Sequence, residues 1–274
     1  MTKGARKRAP FSVAKKHEVC YNKLNENPEF DGDSNMIYNA GNRIMNTYVY
    51  ETSVGYIMID TGYEHSLSSV EKKLNKASIN LSDIKYVFLT HAHDDHAGFL
   101  NELLGKNADV KVIMSNKAMP TLKRGQNSFD GGCSTVFAWI FCKLMGLVGK
   151  SEHRFPPIEE RYNDRFIEIT EGNKSELEAL LEGEILFTPG HTADSISLKL
   201  GDIIFCGDAA MNGLPSIKRL IIWIENVADF EKSWERLIST NVKMIYPAHG
   251  KPFPKSDLAK YKSATTKIKL RKLK

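Results

Sequence analysis

Six consecutive residues, His91-Ala92-His93-Asp94-Asp95-His96, constrain this chain more than any other feature. They follow a short apolar run, Lys85 to Thr90, that reads as a strand. They precede Phe99, Leu100, Leu103 and Leu104, whose spacing predicts a helix stopping near Gly105. Imidazole nitrogens and carboxylate oxygens are the donors that suit zinc, iron and similar divalent ions. Two residues apart on an extended strand end, His91 and His93 can point the same way. Asp95 and His96, on the turn into the helix, can then face a second position close by. Three further predicted strands end in a donor: Thr188-Pro189-Gly190-His191-Thr192, Cys206-Gly207-Asp208 and Tyr246-Pro247-Ala248-His249-Gly250. Strand ends are the usual mounting for site residues on a rigid sheet. A lone His or Asp there is more often structural, but together with the first cluster these complete a candidate metal-binding set. Thr188, Thr192 and Ser195 read as turn and cap residues.

The pattern around these motifs is that of an α/β protein. Asn46 to Thr61 predicts a β-hairpin turning at Thr52–Gly55 and ending in Asp60-Thr61-Gly62. His65 to Lys76 has helical spacing, with Leu67, Val70 and Leu74 on one side, and Val110 to Met114 predicts another strand. Between Ser115 and Leu181 the rhythm changes, with breaks at Gly131-Gly132 and Pro156-Pro157. Short strands then resume over Glu184–Thr188, Ser195–Leu200 and Asp202–Cys206, followed by a helix over Phe230–Ile238 and a last strand over Lys243–Tyr246. Repeated short strands with intermittent helices suggest an αβ/βα sandwich. The 274 residues, 42% hydrophobic, suffice for one large domain. We expect a basic, polar N-terminal extension over 1–40, a catalytic domain over 41–254 with an insert at about 115–181, and a basic C-terminal tail or helix over 255–274.

Charge is unevenly spread. Residues 1–20 carry +5 and residues 251–274 carry +8, leaving −8 for the remainder of a chain whose net charge is +5. Basic ends can touch nucleic acid or an acidic membrane surface, though solvated ends are commoner. A protein that grips phosphate backbones would carry its positive charge around the site. Cys20, Cys133, Cys142 and Cys206 form no C-x-x-C pair, so neither a disulfide framework nor a thiolate zinc finger is expected. Cys206, next to Asp208, could line the site. The first residues have no signal-peptide pattern, and the longest apolar run, Ser134 to Gly149, carries Lys143 and falls short of the roughly 20 residues a spanning helix needs. A soluble, cytoplasmic protein is the expectation.

The H-A-H-D-D-H run, T-P-G-H-T, G-D and A-H-G, preceded by Asp60-Thr61-Gly62, resemble the ordered motifs of the metallo-β-lactamase-fold metallohydrolase superfamily, over roughly Asn46 to Phe253. The resemblance implies a four-layer αβ/βα sandwich with the site at one edge. It implies two divalent metal ions, zinc by preference, with iron or manganese as alternatives. His91, His93 and His191 would hold one ion and Asp95, His96 and His249 the second. Asp208 would bridge both, and Asp60 would orient the ligand loop from behind. Asp95 would also be catalytic, orienting a metal-bridging hydroxide. No Ser, Cys or Lys nucleophile is then required.

Departures from the family narrow the substrate. Members that cleave β-lactams commonly use a cysteine or an extra histidine as a ligand, where Asp208 stands here. Glyoxalase-II-like thioesterases add a C-terminal helical region, and only about 25 residues follow His249. Homoserine-lactone lactonases usually place a tyrosine three residues after the bridging aspartate, where this chain has Met211. Nuclease members tend to add a large domain, and the single-iron dioxygenases use fewer ligands. The leading expectation is a dinuclear hydrolase of an ester, thioester or lactone with an apolar part. A phosphodiesterase acting on nucleotides or short nucleic acid is the runner-up, and an iron-bound redox or sensor protein the third reading. No substrate-binding residue is identified.

The segment Gly131 to Pro157 carries Val136, Phe137, Trp139, Ile140, Phe141, Leu144, Met145 and Leu147, apolar almost all round, and such a helix should be buried. It would cap the core, form a homodimer face, or serve as a lid offering a greasy wall to an acyl or aromatic group. Arg154, Arg161 and Arg165 nearby could meet a carboxylate, with solvation as the simpler role.

Overall fold

The computed structural model describes residues 20–22, 36–149 and 151–273. Most of the predicted N-terminal extension therefore lies outside the described residues. Among those described, two sheets face each other with helices outside both. The first sheet runs, edge to edge, through Cys20–Asn22, Met36–Asn39, Tyr48–Thr52, Gly55–Ile59, Ile84–Phe88, Lys111–Ser115 and Phe166–Ile169. Its only antiparallel pairings join Met36–Asn39, Tyr48–Thr52 and Gly55–Ile59. The others are parallel. The second sheet runs Phe253–Pro254, Met244–Pro247, Ile203–Gly207, Ile196–Leu200 and Glu184–Phe187.

Period-2 alternation explains why there are four layers. Tyr48, Tyr50, Ile57, Ile59, Phe88 and Ile113 point between the sheets, where Ile196, Leu198, Ile203, Phe205 and Tyr246 meet them. Their neighbours Val49, Met58, Val87, Val112 and Met114 point the other way, onto the helices Leu67–Lys76 and Leu100–Lys106. On the second sheet Ile204, Cys206 and Ile245 pack outward against the helices Val227–Ser239 and Ser256–Thr265 through Phe230, Trp234, Leu237 and Leu258. Strands with both faces apolar are covered on both faces, which gives the expected αβ/βα sandwich.

The hairpin closes at Thr52↔Gly55, and Leu67, Val70 and Leu74 are buried, as the spacing predicts. Phe166–Ile169 and the short pair Gly132–Cys133 with Trp223–Ile224 are not marked by any alternation in the sequence. Such brief strands carry too few residues to show a period. The basic C-terminal stretch is no free tail as far as Thr265: Ser256–Thr265 is helical, with Leu258 and Thr265 buried. Among the described residues no helix is long and apolar enough to cross a membrane.

The apolar segment departs from expectation. Val136–Leu147 is a helix capped by the Thr135 side chain, which accepts from Ala138 N–H, but Ala138 is its one buried residue. Val136 is 50%, Leu144 53% and Leu147 83% exposed. Hydrophobicity all round the helix does not by itself secure a partner for each face, and the described chain supplies one only on the Ala138 side. The arginines after it are occupied locally: Arg154 pairs with Glu152 and Arg161 with Glu159, while Arg165 donates to the carbonyls of Asn107 and Val110.

Candidate metal centre

All seven predicted donors converge at the ends of the strands. His91, His93, Asp95 and His96 leave the Ile84–Phe88 strand, with Asp95 and His96 in the short helix Asp94–Ala97. His191 follows Glu184–Phe187, Asp208 follows Ile203–Gly207 and His249 follows Met244–Pro247. Three trios place their ligand atoms within 4.8 Å of one another: His91, His93 and His191; His91, His96 and Asp208; Asp95, His96 and His249.

Two glycines explain how the last donors get so close. Gly190 sits at φ +134° with its α-carbon against Phe230, so that a Cβ would lie 2.3 Å from backbone atoms of that residue. Gly207 sits at φ +50°, where a Cβ would lie 2.6 Å from Thr90 Oγ1. Only glycine combines this backbone with this proximity. The G-H and G-D pairs of the sequence are thus steric requirements for seating His191 and Asp208.

Four of the five rings are held from behind, His91 Nδ1 lying 3.1 Å from Thr90 Oγ1, while the buried His93 Nε2 has no hydrogen-bond partner among the described residues. His191 Nδ1 donates to Trp223 O and His249 Nδ1 to Ile44 O, both at 2.8 Å. His96 Nδ1 lies 2.8 Å from Asp60 Oδ2. With Nδ1–H engaged, Nε2 is the nitrogen left facing the centre, the one whose lone pair a metal ion would bind. Asp60 also accepts from Thr90 N–H (2.7 Å) and Thr90 Oγ1–H (2.8 Å), tying the strand end to the ligand loop. Asp194, which the sequence does not single out, accepts from Ala92 N–H at 2.9 Å. Asp94, the middle acid of the run, turns away to Asn127 and His153. Asn46 holds the His249 loop by donating to Pro247 O and Gly250 O. Apart from Asp60, which the sequence singles out, these partners are dispersed in sequence, and no local signal marks them.

The atoms facing the centre are lone-pair donors crowded against one another, with few hydrogen bonds among them. His191 Nε2 lies 3.1 Å from both His91 Nε2 and His93 Nδ1. Three nitrogens bound to one tetrahedral ion at about 2.0–2.1 Å would stand about 3.3 Å apart. Asp208 Oδ2 faces His191 Nε2 at 3.4 Å, whereas its Oδ1 faces His249 Nε2 at 3.4 Å and His96 Nε2 at 3.7 Å. Asp95 Oδ2 lies 3.1 Å from His249 Nε2. The buried His96 Nε2 and Asp208 Oδ1 form no hydrogen bond among the described residues. Lone pairs crowded against lone pairs are tolerable only around a cation or a proton. The donor set therefore fits divalent metal.

The electrostatics follow from the same crowding. Burial and neighbouring imidazoles hold His91 and His93 well below the usual imidazole range. Burial also depresses His96, but the Asp60, Asp95 and Asp208 carboxylates outweigh it and lift it to about 9. Burial would likewise depress His249, yet Asp208 and Asp95 carry it well above its ordinary value. Asp95 and Asp208 lie below the carboxylate range, because the imidazoles overcome a desolvation that raises both.

Cys206 does not line the centre; it is buried among the outer helices' contacts, its thiol raised chiefly by burial. Thr188 and Ser197 exchange a 2.8 Å hydrogen bond and Thr192 and Ser195 one of 2.7 Å, the turn roles expected. Nothing in the sequence singles out Tyr63. It lies 38% exposed beside the centre, its phenol raised by burial and then by the nearby Asp95, Asp94 and Asp208 carboxylates.

A sequence profile described as the metallo-beta-lactamase superfamily matches residues 40–249. This chain belongs to the metallo-beta-lactamase superfamily. Among curated relatives, the metallo-beta-lactamase fold-containing protein ST1585 of Sulfurisphaera tokodaii is 28% identical over 201 residues, covering 71% of this chain and 68% of the relative. The Beta-lactamase-like protein 2 homolog of Caenorhabditis elegans is 23% identical over 210 residues, covering 75% of this chain and 55% of the relative. The chain thus spans little more than half the length of the nematode protein. A solved HARLDQ-motif mutant metallo-beta-lactamase of Cronobacter sakazakii superposes with a TM-score of 0.59 at 20% identity, covering 84% of this chain and 89% of that one. At that identity the likeness speaks to the metallo-beta-lactamase fold alone, which is the four-layer arrangement described above.

Proposed function

We propose that this chain is a dinuclear metal-dependent hydrolase acting on an ester, thioester or lactone carbonyl of a small molecule with an apolar part. The observation that carries the reading is the position of Asp208, with one carboxylate oxygen toward His191 and the other toward His96 and His249. His91, His93 and His191 would hold one ion, Asp95, His96 and His249 the other, and Asp208 both. Imidazole with carboxylate suits zinc best, with iron and manganese as alternatives. When bound, such ions supply a nucleophile ionised near neutral pH and Lewis acidity toward the scissile carbonyl.

The chain's own residues supply position and proton handling. Asp95 would orient the attacking water through its carboxylate and take up its proton for delivery to the leaving group. Asp60 and the carbonyls of Trp223 and Ile44 keep the imidazole rings in the tautomer and orientation the site needs. Tyr63, beside the Asp95 carboxylate, would offer its O–H to a substrate oxygen and so supply a phenol although Met211 stands where lactonase members of the family have one. Metal analysis of the purified protein, followed by turnover of aryl ester, thioester, lactone and phosphodiester compounds, tests the reading. Two ions per chain with carbonyl turnover supports it. Iron with a visible absorption band and no hydrolysis on zinc loading would overturn it, and phosphodiester turnover alone would replace it with the phosphodiesterase.

A further inference from the structure

Among the described residues, nothing covers the contiguous apolar stripe on the outward side of the Val136–Leu147 helix. Val136, Phe137, Ile140, Leu144 and Leu147 recur at the three- and four-residue intervals that share one helical face, and all are exposed. Large apolar patches are rarely left uncovered on a soluble surface. The helix is about 18 Å long, too short to span a bilayer.

What lies beside the stripe identifies the kind of surface that covers it. The chain's C-terminal stretch runs along the base of the helix: Arg271 exchanges backbone hydrogen bonds with Cys133, and Trp139 Nε1–H donates to Lys272 O. Ile268 and Leu270 pack inward on the core, so the alternate residues Lys267, Lys269 and Arg271 face outward and are exposed. Between Gly131 and Gly149, and again from Leu258 to Lys274, there is no acidic residue. An apolar stripe edged by a basic row is the composition of a segment that lies in the plane of an anionic lipid surface. A second copy of this chain fits less well. In a two-fold pairing of this face the basic rows would meet with no acid from either segment to neutralise them.

We propose that the Val136–Leu147 face and the adjoining Lys267–Lys272 row dock this protein onto an anionic membrane surface. The helix is joined to the metal centre through the Gly132–Cys133 and Trp223–Ile224 strand pair, whose Trp223 carbonyl anchors His191. Docking therefore brings the catalytic edge close to the bilayer, whatever bond the centre cleaves.

Vesicle flotation of the full chain tests this, with phosphatidylcholine alone and with phosphatidylcholine containing phosphatidylserine. Wild-type protein should float with the anionic vesicles and at least tenfold less with the neutral ones. I140E/L144E and K267E/K269E should each lose at least tenfold of that binding while keeping the wild-type circular dichroism spectrum. Absence of binding by the wild type overturns the proposal. So does binding that either variant leaves unchanged, since the basic N-terminal residues would then be its source. A wild-type dimer in sedimentation that I140E/L144E dissociates, without vesicle binding, overturns it in favour of a second copy.

Discussion

The metal centre and the Val136–Leu147 helix invert the usual distribution of side chains in opposite ways. In the first, five imidazoles and two carboxylates are packed together out of water, although charged groups are seldom buried without partners. In the second, a run of large apolar side chains stands in water with one of its residues buried. Both arrangements cost free energy in the isolated chain, and both point to something bound that restores the balance. They differ in rigidity. Four of the five rings of the centre are pinned from behind by a carbonyl, a carboxylate or a hydroxyl, whereas among the described residues the outward helix face has no cover.

The largest effect that could break this contrast comes from Asp208→Ala. Turnover should fall by at least about 10³-fold with the circular dichroism spectrum preserved, because both proposed ion positions would lose a shared donor. Near wild-type kcat/KM in that variant would remove the two-metal mechanism. Chelation should act on the centre alone. Activity disappears, and Tm falls by an amount equivalent to about 3 kcal/mol if the metal had been present at about 100 times its Kd. A Tm unmoved by chelator and by added zinc would show that the crowded donors need no cation.

Smaller effects sharpen the comparison. Asp60→Asn keeps the shape behind His96 but loses the charge that fixes its ring, so metal affinity should weaken about 10–100-fold in a competition titration. Tyr63→Phe removes the hydroxyl that would donate to a substrate oxygen, and kcat should drop about tenfold or less with metal content unchanged. An equal loss of metal would assign Tyr63 to holding Asp95 rather than to substrate. The smallest effect belongs to Leu144→Glu: stability within about 0.5 kcal/mol of wild type and unchanged turnover of a water-soluble substrate. Marked destabilisation would mean that the helix face is covered in solution after all.

The centre was legible early because metal ligation demands rare residue types at fixed places. His91 to His96 are contiguous, and Gly190-His191 and Gly207-Asp208 carry their steric reason beside them. The core was legible for a similar reason, since two-residue alternation in Tyr48–Thr52, Gly55–Ile59 and Ile203–Gly207 states which side chains face which layer. The Phe166–Ile169 strand and the Gly132–Cys133 pair were not, being stabilised by partners far along the chain rather than by local pattern.

By itself, the sequence determined which atoms are available to bind metal and which strand faces are apolar, because residue type and short-range period are properties of the chain alone. Tertiary structure decided the rest. It brought Tyr63 near Asp95, put the carbonyls of Trp223 and Ile44 behind two histidines, turned Asp94 and Cys206 away from the centre, and, among the described residues, left the outward Val136–Leu147 face exposed. Those outcomes depend on which distant segments meet, and no spacing within a segment encodes that.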